Sequence, residues 1–144
     1  MTVILTGVAE CLAGIAEMVT RQNAATGTGL GKCLHLLERE IKADLSVGSH
    51  ERGEPTTSAP GEAPDLVSGD LRRSIQVDGP DEEGGGRWSG QVGPTVVYGR
   101  IQELGGQAGH ATLPARPYVG PALEKMQPVM ELTMREAWAA GQGF

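Results

Sequence analysis

Residues 27 to 33 read GTGLGKC, and a glycine-rich run closed by a lysine is the pattern with which backbone amides and an ammonium group cradle phosphate. Such a loop needs glycine at its first position, a serine or threonine after the lysine to hold magnesium, and a buried strand before it. Thr26 stands where the first glycine belongs, Cys33 replaces the hydroxyl residue, and the preceding segment has helical periodicity. The run therefore reads as a hinge between two helices, its glycines able to end one helix in a left-handed conformation. A nucleotide-dependent enzyme built on Lys32 is the alternative of a different class.

The other reactive side chains fall into no catalytic spacing. His35, His50 and His110 are scattered, and neither His-x-x-x-His nor a Cys/His zinc pattern occurs. Cys11 and Cys33 form no CxxC pair and read as buried or half-buried thiols of a reducing compartment. There is no GxSxG elbow for a serine nucleophile. Glu82 and Glu83 are neighbouring carboxylates, but they lie in GPDEEGGG, a connector expected to be too flexible to fix two carboxylates for acid–base work. No catalytic, cofactor or metal residue is assigned.

The chain of 144 residues suits a single domain. Aromatics make up only 3%, so stacking platforms for single-stranded nucleic acid are disfavoured. A formal charge of −6 repels a phosphate backbone, which makes duplex DNA an unfavourable tight partner. The opening segment has no basic residues before its apolar stretch, and Glu10 and Glu17 interrupt it, so neither a signal peptide nor a membrane span is expected.

The elements that must position these residues follow from periodicity. Val8, Leu12, Ile15 and Val19 share one helical face, as do Leu30, Leu34, Leu37, Ile41 and Leu45, which predicts a helical hairpin over residues 1–46. Residues 47–68 are rich in proline, glycine, serine and threonine and read as a long functional loop. Residues 69–119 form the sheet region. Leu71, Ile75 and Val77 alternate with polar neighbours, though the start could be a helical turn; Trp88, Gly90 and Val92 alternate after the 79–86 tip. Thr95–Tyr98 reads either as a third strand or as the entry to a short helix ending at Gly105 and Gly106. A C-terminal helix over 120–140 begins at Pro121, should kink at Pro128, and aligns Met126, Met130 and Met134 on one face as core or subunit interface. The fold class expected is α+β: N-terminal helices and a C-terminal helix packed on a small antiparallel β-sheet with long loops.

Three segments then occur in order: Ser68-Gly69-Asp70-Leu71-Arg72-Arg73-Ser74-Ile75, Tyr98-Gly99-Arg100-Ile101-Gln102-Glu103-Leu104-Gly105, and Pro114-Ala115-Arg116-Pro117-Tyr118-Val119-Gly120-Pro121-Ala122-Leu123. Together they resemble the boxes of the tail-completion, or neck, family of long-tailed bacteriophages. The first carries Ser where the family has Thr; the second has Gly for Ala and Leu for an aromatic. The resemblance implies a structural virion protein made in the host cytoplasm and no enzyme. It implies a closed ring of six copies at the tail–head junction, between tail-tube or terminator and head-closure or connector proteins, with the genome passing through unbound and no membrane partner. A tail terminator or head-closure protein would share these gross features. On this reading Arg72, Arg73, Glu82, Glu83, Arg116, Met126, Met130 and Met134 are the candidate interface residues. The acidic tip and the 47–68 loop are expected to lie against neighbouring subunits.

Overall fold

The computed structural model describes residues 6–56 and 58–142. One unbroken helix, α1 (Val8–Asp44), runs where two were expected. Its 37 residues reach about 55 Å at the usual rise per residue. The glycines of GTGLGKC are not a hinge, because neighbouring elements lie directly on the helix backbone there. A Cβ on Gly27 would stand 2.6 Å from the Trp88 ring, and one on Gly29 would stand 2.8 Å from Met134 Sδ and 2.9 Å from Ala137 Cβ. Gly31 lies under Pro80. The run is a smooth track on which other elements dock, and its amides are engaged in the helix ladder rather than turned toward a phosphate.

The track receives two partners. One is the hairpin of β1 (Ile75–Gly84) and β2 (Arg87–Pro94), antiparallel, with Val77 opposite Val92 and Glu82 opposite Trp88. Residues 79–86 are therefore not a loose tip. The strand continues to Gly84 through two irregularities, between Asp78 and Asp81 and between Glu82 and Gly84, and the glycines at 84–86 turn the chain. The physical reason is Asn23 of α1. The Trp88 indole Nε1 donates to its Oδ1 at 2.8 Å, and its Nδ2 donates to Glu82 Oε1 at 2.6 Å, which holds the hairpin end on the helix.

The second partner is α4 (Val119–Gln142), antiparallel to α1. Gly141 lies over Ala25, Met134 and Ala137 over Gly29, and Lys125 pairs with Glu40. This helix is continuous through Pro128, whose side faces solvent. Between hairpin and α4 come α3 (Gly99–Leu104) and a small antiparallel ladder of β3 (Gly106–Ala108) and β4 (Ala111–Leu113). Before the hairpin, α2 (Asp70–Ser74) occupies the first half of the stretch that alternation suggested as strand. The architecture is α+β, as expected: a long N-terminal helix and a C-terminal helix against small antiparallel ladders.

The core gathers Leu37, Ile41, Leu45, Ile75, Tyr118, Ala122 and Met126, all from the C-terminal half of α1 and the elements that cover it. The proline-rich loop lies on this body at several points. His50 and Leu66 amides hydrogen-bond across it, Gly61 N donates to Ala115 O at 2.9 Å, and Pro64 is buried. Asp65 Oδ2 accepts from Thr56 Oγ1 and from Ser58 N, an internal brace that polar loops use to satisfy their backbone.

Candidate interaction surface

The three ordered boxes meet at one junction beneath α4. From the first, Gly69 takes φ 75 to start α2, Leu71 packs on the core, and Ile75 is buried in it. From the second, Gly99 is buried: a Cβ there would meet Pro94 at 2.5 Å and the Tyr118 hydroxyl at 3.1 Å. Gly105 takes φ 70, and a Cβ there would lie 2.8 Å from Ala115 N, so the turn out of α3 accepts only glycine. From the third, Arg116 N donates to Gln102 O at 2.7 Å and buried Tyr118 donates its hydroxyl to Gly99 O at 3.0 Å.

Glu103 closes the junction. Its carboxylate accepts from the amides of Tyr118, Val119 and Gly120 at 2.7, 2.9 and 2.9 Å, so it caps the first turn of α4 from fifteen residues away. In the sequence Glu103 stands out only as a position of the second box and has no assigned role, because a cap supplied by another helix has no local spacing signal. The boxes thus build the fold and hold the entry angle of α4.

Burial, reinforced by the Glu103 charge and by Tyr98, pushes the Tyr118 phenol up to about 12 from an ordinary 10.0. Because the folded state keeps this proton where the unfolded state loses it, the stabilisation is complete below pH 10 and is lost as pH rises toward 12. Chemical denaturation across that window is expected to show stability falling by up to about 1.4 kcal/mol per pH unit from this group. The fall should be shallower in Tyr118→Phe, and equal slopes in the two proteins would refute the assignment.

The candidate interface residues do not form one cluster. Arg72 Nε donates to Lys42 O at 3.2 Å and so caps the C-terminal end of α1. Arg73 pairs with Asp70 at 2.6 Å and donates to Ser68 O. Hydrogen bonds from Ser68 and then Arg73 hold the Asp70 carboxyl below its usual range. Glu82 is bound to Asn23, Glu83 is exposed nearby, and Arg116 Nη1 donates to Thr56 Oγ1 at 3.0 Å. Met126 is buried in the core, while Met130 and Met134 are half-buried; Met134 lies on Gly29, and Met130 O accepts from the Cys33 thiol. The methionine face is turned toward α1 of the same chain. Among the described residues no three His, Cys, Asp or Glu side chains are grouped to hold a metal ion, and no helix is long and apolar enough to cross a membrane.

What periodicity took for a packing face is left uncovered. From Val8 to Arg21 every residue of α1 is exposed, since the end of α4 and the hairpin lie on the helix only from about the level of Arg21 to Asn23 onward. Leu12 is 62% and Val19 59% exposed, and Val8, Ile15 and Met18 are close to half exposed. Buried apolar area is the main driving force of association, and a row of large side chains this accessible marks an interaction surface. At its root, Met18, Val19, Gln22 and Trp138 line a groove between the ends of α1 and α4. No protein-family model, no characterised protein and no solved structure matches the chain.

Proposed function

We propose that this protein is a structural component of a phage virion, a tail-completion or neck subunit that forms a ring and joins tail to head. The observation that supports this reading best is the projecting N-terminal part of α1: a helix that leaves its own domain and carries an uncovered apolar row is built for contact with other chains. The three boxes add support, since the residues that carry the resemblance meet at one junction and fix how α4 packs beside that helix. The net charge of −6 suits a conduit wall that repels the passing genome instead of holding it.

Imaging and genetics together test the proposal. The purified chain, or the chain within particles, is expected to form closed rings with a channel wide enough for duplex DNA, located at the tail–head junction. Producing cells that lack it should accumulate separate heads and tails. Joined, infectious particles at normal yield without the protein would overturn the reading, and saturable magnesium-dependent nucleotide binding lost in Lys32→Ala would favour the enzyme alternative.

A further inference from the structure

We infer that residues 8–21 of α1 are the joint between copies of this chain, each helix packed parallel and side by side with a neighbour on either flank around the ring. The inference rests on the ring reading above and names its contact. Along this segment Val8 and Ile15 take one inner heptad position, Leu12 and Val19 the other. The positions flanking that seam, which in two-stranded coils commonly carry Glu and Lys that pair across the interface, are Ala9 and Ala16 on one side and Cys11 and Met18 on the other. The uncharged face is therefore roughly 180° wide, and Glu10, Glu17 and Arg21 all fall within roughly 40° of one another on the opposite side.

A helix that meets a single partner needs only a narrow seam. A helix in a ring touches a neighbour on each side and needs a wide one. Length points the same way: residues 8–21 offer a short contact to one partner, and a ring gives each copy two such contacts. A lipid surface fits poorly, because interfacial helices are rich in Lys and Arg on their polar face, and this one carries Glu10 and Glu17 against the single cation Arg21. The apolar row also continues into the groove beside Trp138, so each contact can extend past the free segment onto the body of the next copy.

Parallel packing makes a distinct cross-linking forecast. In parallel side-by-side packing one flank of a helix lies beside the opposite flank of its neighbour in the following heptad, which places exposed Cys11 next to Ala16 of the partner subunit. Five residues apart on one helix, the two positions are too distant for a disulfide within a chain. Mild oxidation of Ala16→Cys is expected to give a ladder of covalent multimers whose largest closed member counts the subunits, while buried Cys33 stays unreacted.

The charge-insertion variant Leu12→Glu/Ile15→Glu is expected to be monomeric by light scattering and to keep a cooperative melt, lower than wild type only by the stabilisation that assembly contributes, since these side chains touch none of the core. Rings of unchanged mass in that variant would overturn the inference while leaving the ring reading intact. Covalent dimers alone, or a wild-type chain that stays monomeric at every reachable concentration, would also overturn it. The neck reading would then be judged separately, by the position of the protein in particles.

Discussion

Gly29→Ala is expected to destabilise the fold by about 1–3 kcal/mol, the usual cost of forcing atoms into a packed interior. The sign is what makes the measurement informative. In an ordinary helix interior the same change stabilises by about 1 kcal/mol, because alanine gives up less backbone freedom than glycine. At Gly29 the added methyl would press on Met134 Sδ and Ala137 Cβ, and α4 must move away along the track to admit it. Gly27→Ala meets the flat Trp88 ring and should behave alike, with the hairpin end displaced from Asn23.

Gly14→Ala supplies the contrast, since nothing lies within 4 Å of a Cβ there; far-UV circular dichroism should show a gain in helicity. Lys32 is exposed, and Lys32→Ala should stay within about 0.5 kcal/mol of wild type. Urea titrations of the set decide the matter. Stabilisation by alanine at Gly27 and Gly29 would mean that the close approach of Trp88 and α4 is absent in solution and that the run is merely a weak stretch of helix.

The same glycines show where the sequence was legible and where it was not. The apolar spacing of Leu34, Leu37, Ile41 and Leu45 identified the buried face of α1 correctly, and Trp88, Gly90 and Val92 do turn toward the helix as their alternation suggested. Short-range rules assign glycine to turns and helix ends, yet Gly27, Gly29 and Gly31 are needed by Trp88, by Met134 and Ala137, and by Pro80, far along the chain, which no local window contains. The acidic tip failed for a similar reason. Its composition resembles that of a mobile loop, but its order comes from Asn23 on another element. The row from Val8 to Val19 was legible as amphipathic, although periodicity alone cannot tell a face covered by its own chain from one left open.

Glu103→Ala is expected to cost about 3 kcal/mol or more, with Glu103→Gln intermediate. Three backbone amides at the start of α4 converge on this one carboxylate, and the first of them belongs to fully buried Tyr118. A hydrogen bond to a charged group contributes about 1.5–3 kcal/mol, and a buried donor left without its acceptor incurs a desolvation penalty of about 1–3 kcal/mol. The contributions will not simply add, because α4 can fray by a turn and let water reach Val119 and Gly120. Tyr118 has less room to adjust: its hydroxyl is fixed to Gly99 and its ring fills the centre of the core. Glutamine keeps an oxygen for one or two of the amides but brings a donor group toward the rest, so it should recover part of the loss and no more. Thermal melts should order the proteins as wild type, Gln, Ala. Hydrogen exchange should place the earliest opening at 118–120 in the alanine variant. If Glu103→Ala melted with wild type, the junction would not depend on this cap, and the motif that includes Glu103 would need another reason for its form.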